Sequence, residues 1–69
     1  GAPVVDKATI PLDNGKTFTV ITKGQGPKSM YVQRVKLNGV ELERTHITHN
    51  ELMGGGVLEF TLGPKPPKP

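Results

Sequence analysis

Six carboxylates and two histidines are the residues of this chain whose types could do catalytic or metal-binding work. Glu41 and Glu43 stand two positions apart in Val40-Glu41-Leu42-Glu43, a stretch that reads as a strand. At about 3.3 Å per residue their backbones lie ~6.6 Å apart, near the ~6.5–9.5 Å that separates the acid and base of an inverting glycoside hydrolase. The same alternation argues against that use. Val40 and Leu42 claim the buried face, so both carboxylates are expected in water, without the burial a general acid requires. His46, His49 and Glu51 suggest a metal site by proximity. Such a site wants three or four converging ligands with supporting hydrogen bonds, and these three straddle a strand end and a capped turn with no Cys or Asp beside them. A structural place for His49, at the first helical position, is the expectation. No catalytic, cofactor-binding or metal residue is therefore assigned within the chain.

The remaining motifs are structural on the same grounds. Gly54-Gly55-Gly56 lacks the Gly-Lys-Ser/Thr ending of a phosphate loop and reads as a hinge or bulge. The tail Gly63-Pro64-Lys65-Pro66-Pro67-Lys68-Pro69 holds two PxxP spacings. Polyproline ligands of SH3-type domains share that spacing, although an extended terminal coil is the plainer reading. No Asn-x-Ser/Thr glycosylation sequon occurs.

The elements that would have to position any site are short. Sixty-nine residues make one domain at most, with no Cys, no Trp and three aromatic residues, Phe18, Tyr31 and Phe60. A domain of about 60 residues buries only ~60% of the surface of its unfolded chain, so the composition suits a subdomain that packs against a neighbour. The net charge is +3, and removing the tail residues Lys65 and Lys68 leaves seven basic against six acidic residues. Those charges are interspersed, which gives no electrostatic footprint for nucleic acid. No apolar run approaches the ~20 residues of a membrane span.

Gly1 to Val5 carry weak signals and read as a linker, ahead of a β-rich body over residues 6–63 and a Pro/Lys-rich tail over 64–69. Ala8 to Leu12 is a strand whose Pro11 favours a sheet edge. Asp13-Asn14-Gly15-Lys16 is a turn, taken as a two-residue hairpin loop, and Thr17 to Thr22 is its returning strand. A loop over 24–29 leads to an alternating strand from Met30 to Leu37, with Tyr31, Gln33, Val35 and Leu37 on one face. Asn38-Gly39 is a type I′ hairpin signal, with Lys36 and Glu41 facing each other across the strands. Thr48-His49-Asn50-Glu51 has capping-box form, and Gly54 is the expected left-handed C-cap. Val57 to Leu62 is the last strand. Ile10, Leu12, Phe18, Val20, Val35, Leu37, Leu42, Leu58, Phe60 and Leu62 make the expected core. The fold class is all-β, a small antiparallel sheet or β-sandwich with one short helical turn near Thr48–Met53. Strand order is not readable from these signals.

Several of these blocks together resemble the C-terminal end of glycoside hydrolase family 92. They are Gly15-Lys16-Thr17-Phe18-Thr19-Val20, Tyr31-x-Gln33-x-x-x-Leu37-Asn38-Gly39, Ile47-Thr48-His49, Gly55-Gly56-x-Leu58-Glu59-Phe60 and Leu62-Gly63-Pro64. The resemblance runs from about Asp6 to Pro66. It implies a piece of an exo-acting α-mannosidase, of the α-1,2-mannosidase type, that inverts anomeric configuration and depends on calcium. It also implies export to the periplasm, cell surface or medium, as in the gut Bacteroidetes where the family is common. The active site would lie between an N-terminal β-sandwich and an (α/α)6 barrel, and no motif here matches the family's acid, base or calcium ligands. The expected role is a non-catalytic C-terminal β subdomain whose partners are the barrel and sandwich of its own enzyme. The alternative is an independent carbohydrate-binding or protein-interaction β module, for which Tyr31 is the exposed aromatic candidate.

Overall fold

The computed structural model describes residues 4–24 and 31–65. Its elements in chain order are β1 (Val4–Pro11), β2 (Thr17–Gly24), β3 (Tyr31–Leu37), β4 (Val40–Leu42), α1 (His49–Met53) and β5 (Gly56–Gly63). The five strands form one sheet in the order β1-β2-β5-β3-β4. β1 pairs antiparallel with β2, β3 with β4 and β3 with β5, while β2 and β5 run parallel. The all-β expectation holds in its sheet form, with a single helical turn. The loop expected over 24–29 lies outside the described residues apart from Gly24, which ends β2; the tail beyond Lys65 also lies outside them.

Local chemistry explains most of the elements. β1 is an edge strand, and Pro11 sits at its end, where a missing N–H is tolerated. The connection to β2 differs from the expected two-residue loop. Gly15 N donates to Leu12 O at 3.1 Å and Leu12 N to Lys16 O at 2.8 Å, and Gly15 alone takes a positive φ, +85°. This is a type I turn closed by a left-handed glycine, the usual three-residue hairpin. The second hairpin is as expected: Asn38 and Gly39 both hold positive φ, 52° and 83°, as type I′ geometry demands.

One face of the sheet carries the core. Phe18, Val35 and Leu58 are its buried residues, with Leu12, Val20, Val32, Leu37, Leu42 and Phe60 packed around them and Ile47 and Leu52 laid across from the helical side. Ile10 stays exposed, contrary to the expected core, as does Val40, expected on the buried face of its strand, and Leu62 is half-buried outside the cluster. Val40 lies at the tip of a three-residue edge strand, paired only with Leu37. Val32 joins the core because the β3–β5 register slips between Val32 and Arg34. A β-bulge of this kind sets two residues against one and resets the alternation. Tyr31 is thereby turned out of the face that Val35 and Leu37 share, against the expected pattern, and is 41% exposed.

The opposite face is a largely polar row across all five strands: Lys7, Ile21, Glu59, Lys36 and Glu41 stand side by side in register. Lys36 and Glu41 are cross-strand neighbours as expected. The ion pair of Glu41, however, is with Arg34 on the diagonal, Nε to Oε1 at 3.4 Å. Lys23 and Glu59 pair in the same diagonal manner at 3.2 Å. Both pairs are solvent-exposed enough that each is worth only about 0–1 kcal/mol.

Candidate functional site

Three junctions fix the helical side of the sheet, and they are where the chemistry-bearing side chains gather. The first is the clasp at the start of α1. Thr48 is the N-cap, its Oγ1 accepting from Glu51 N at 3.1 Å, while Glu51 Oε1 accepts from Thr48 N at 2.8 Å. The capping box read from the sequence is therefore present, and it satisfies two helix-end amides reciprocally. Sequence reasoning missed the third member. Arg44 grips Glu51 with both arms of its guanidinium, Nη1 to Oε1 at 2.8 Å and Nη2 to Oε2 at 2.7 Å, and Nη1 also donates to His46 O at 2.8 Å. A bidentate Arg–carboxylate pair is the strong form of this interaction. No local period links positions 44 and 51, so only the fold reveals it.

The Arg44 hydrogen bonds, then the Thr48 backbone amide, hold the Glu51 carboxyl down to about 2 from its ordinary 4.5. Glu51 is thus ionised at neutral pH with both oxygens occupied, a poor proton donor and a poor metal ligand. Because the folded pKa lies below the unfolded one, this contribution to stability is complete above about pH 4.5 and is lost as pH falls through about 2. In urea titrations the wild-type chain should exceed Glu51→Gln in stability at pH 6, with the gap closing between pH 4.5 and 2. A gap that persists undiminished at the acid end would show that the carboxylate charge contributes nothing.

At the other end of α1 lie the glycines. Gly54 N donates to Asn50 O at 3.1 Å and Gly55 N to Leu52 O at 3.0 Å. Gly54 is right-handed, with φ −70°, and the left-handed step falls one residue later at Gly55, with φ +74°. A Cβ on Gly55 would lie 3.0 Å from Thr17 O, so the glycine is needed for close approach to β2 as well as for its backbone angle. Asn14 completes this second junction, its Nδ2 donating to Met53 O at 2.7 Å.

The third junction joins the two signals that stand out most in the sequence. Asn38 N donates to Val57 O at 2.8 Å, and Asn38 Oδ1 accepts from Val57 N at 2.8 Å. The carboxamide occupies space that only a glycine at 56 leaves open, since a Cβ there would lie 2.1 Å from Asn38 Oδ1. The Asn-Gly turn and the glycine triplet are two halves of one contact.

The structure does not assemble the residues the sequence put forward for chemistry. Glu41 is exposed and paired with Arg34, and Glu43 is exposed past the end of β4. His46 and His49 are exposed, with Glu51 committed to Arg44. Among the described residues no three His, Cys, Asp or Glu side chains come together as a metal site. An open groove of about 240 Å³ lies beside β3 and β4 against Val32, Arg34, Leu42 and Arg44. Both of its arginines are already paired, to Glu41 and to Glu51.

Fold and junctions together define a one-sheet β module whose polar side chains hold the backbone in place. Residues 1–64 match the model of the glycosyl hydrolase family 92 catalytic domain. This chain belongs to glycosyl hydrolase family 92. A family GH92 inverting mannosidase of Bacteroides thetaiotaomicron VPI-5482 superposes with a TM-score of 0.77 at 35% identity, over 87% of this chain and 8% of that one. A GH92 α-mannosidase of the same species gives 0.74 at 28% identity, over 84% and 8%. A secreted glycosidase of Arthroderma benhamiae, itself uncharacterised, is 45% identical over 51 residues, 71% of this chain and 7% of its own length. The chain thus spans less than a tenth of the length of these relatives.

Proposed function

We propose that residues 6–63 are a non-catalytic C-terminal β subdomain of a calcium-dependent, inverting exo-α-mannosidase, exported from the cell. Val4 and Val5, expected in the linker, are paired in β1 and belong to it, and residues 64–69 form its tail. The subdomain supports the catalytic barrel, and its partners are that barrel and the N-terminal β-sandwich of the same polypeptide. α-Mannoside glycans are substrates of the whole enzyme, and its calcium is held by residues outside this segment.

The observation that carries this reading is the state of the carboxylates. Inversion needs one carboxylic acid that stays protonated and one carboxylate free to activate water. Glu51 is held in the opposite condition to an acid, and Glu41 and Glu59 are tied to Arg34 and Lys23. The thinness of the core points the same way. Only Phe18, Val35 and Leu58 are buried hydrophobics among the described residues, while Val4, Val5, Ile10 and Val57 are exposed, as befits a sheet that gains stability from a neighbour.

Incubated with α-mannosides and calcium, the chain alone should release no mannose; calcium-dependent turnover would overturn the reading. One observation favours the carbohydrate-binding alternative, the bulge that turns Tyr31 outward. Titration with mannobiose followed by amide NMR separates the two. Saturable shifts centred on Tyr31 favour the binding module, and unchanged spectra favour the support.

A further inference from the structure

Asn14-Gly15 and Asn38-Gly39 are the same dipeptide, held in opposite ways. Asn14 works through its donor: Nδ2 donates to Met53 O at 2.7 Å, while Oδ1 accepts from Lys16 N at 3.0 Å. Asn38 works through its acceptor, Oδ1 receiving Val57 N at 2.8 Å. The Asn14 contact is also where α1 meets the β1–β2 turn, with Gly55 packed so closely that a Cβ would lie 3.0 Å from Thr17 O and 3.2 Å from Lys16 Cβ.

The geometry points to Asn14 as a modification site that acts as a latch: deamidation there releases the end of α1 from the β1–β2 turn, whereas the aspartate product at position 38 keeps its hold on Val57. The chemistry needs only water. The Gly15 nitrogen, once deprotonated, bonds to Asn14 Cγ, and the Cγ–Nδ2 bond breaks as ammonia leaves with the proton. Glycine suits this step because it has no Cβ to obstruct the attack. Water then opens the cyclic imide at either carbonyl to give aspartate or isoaspartate, with no change of oxidation state. In the folded chain Gly15 N–H donates to Leu12 O at 3.1 Å and both amide atoms of Asn14 are bonded, so the reaction runs through the opened turn. An ionised carboxylate at position 14 has no proton to give Met53 O and sets a negative charge against the carbonyl end of α1. The same change at Asn38 preserves an acceptor for Val57 N.

The test compares Asn14→Asp with Asn38→Asp by amide hydrogen exchange at Gly54 and Gly55. At neutral pH Asn14→Asp should speed exchange at both by about tenfold or more, through local opening, and Asn38→Asp should leave it at the wild-type rate. At about pH 3 an aspartate side chain with an ordinary pKa near 3.9 is mostly protonated, while Glu51, at about 2, is still ionised. The carboxylic acid of the Asn14→Asp chain can then donate to Met53 O, and protection should return relative to intrinsic rates. That recovery keeps the test decisive even if the variant is unfolded at neutral pH. Peptide mapping after mildly alkaline incubation should show Asn14 of the wild-type chain converting about tenfold faster or more in urea than when folded. Wild-type exchange in Asn14→Asp, no recovery at low pH, equal perturbation by Asn38→Asp, or equal conversion folded and unfolded would each overturn the latch.

Discussion

Replacing Gly56 by Ala should remove a large share of the stability of this sheet. Gly56 holds φ at +115°, in a region that costs a non-glycine residue about 1–3 kcal/mol. Its new Cβ would sit 2.1 Å from Asn38 Oδ1, 2.8 Å from Cγ and 2.9 Å from Nδ2. Asn38 cannot yield cheaply, because its short side chain is bonded to Val57 N and its backbone to Val57 O. Losing the side-chain hydrogen bond adds about 1 kcal/mol. The total, about 2–4 kcal/mol, compares with a stability of roughly 3–10 kcal/mol for a domain of this size. A fall of about 8–32 °C in Tm is the corresponding thermal shift, at ~4–8 °C per kcal/mol. A double-mutant cycle isolates the cause. In an Asn38→Gly background, which keeps the turn's positive φ but removes the carboxamide, Gly56→Ala should cost only its backbone strain. Equal costs in both backgrounds would mean that the contact between the turn and the triplet carries no energy.

Phe18→Ala is expected to have an effect as large for a different reason. Phe18 is 2% exposed and lies at the centre of a core whose other buried residues, among those described, are Val35 and Leu58. Truncating a buried Phe costs about 3–5 kcal/mol, part lost transfer energy and part residual cavity. The apolar side chains packed around these three are themselves only partly buried. The variant should be largely unfolded at 25 °C by circular dichroism, whereas Thr9→Ala on the polar face should stay within about 0.5 kcal/mol of wild type. A Phe18→Ala chain that melts like wild type would place the stabilising core elsewhere.

What could be read from the sequence follows the range of the interactions involved. The Asn38-Gly39 turn, the Thr48–Glu51 capping box and the edge position of Pro11 depend on neighbours within a few residues, and each was legible. The central position of β5 and its parallel pairing with β2 were not, because they arise from contacts between residues some forty positions apart, such as Val20 and Leu58. The bulge in β3 escaped for a related reason. It falls between the pairs Val32–Leu62 and Arg34–Thr61; a Cβ on Gly63 would lie 2.9 Å from Gln33 Cγ, and Gln33 Nε2 donates onward to Lys65 O, but the alternating pattern of β3 alone carries no trace of either partner. Likewise, the glycine triplet was recognisable as a special backbone position, but that Asn38 fills the space it leaves is a property of the folded chain. The site reading erred chiefly by omission, in Arg44 and Asn14, whose partners are set by the junctions.

The central claim is that this segment holds a family 92 enzyme together without taking part in its chemistry. The most direct measurement is kcat/KM on an α-mannoside for the full-length enzyme carrying Glu41→Gln, Glu43→Gln and Glu51→Gln in this segment, alongside its melting temperature. Unchanged kcat/KM with a lowered Tm is the expected result. A loss of about 100-fold or more in kcat at unchanged fold, the scale of a missing general acid or base, would contradict it.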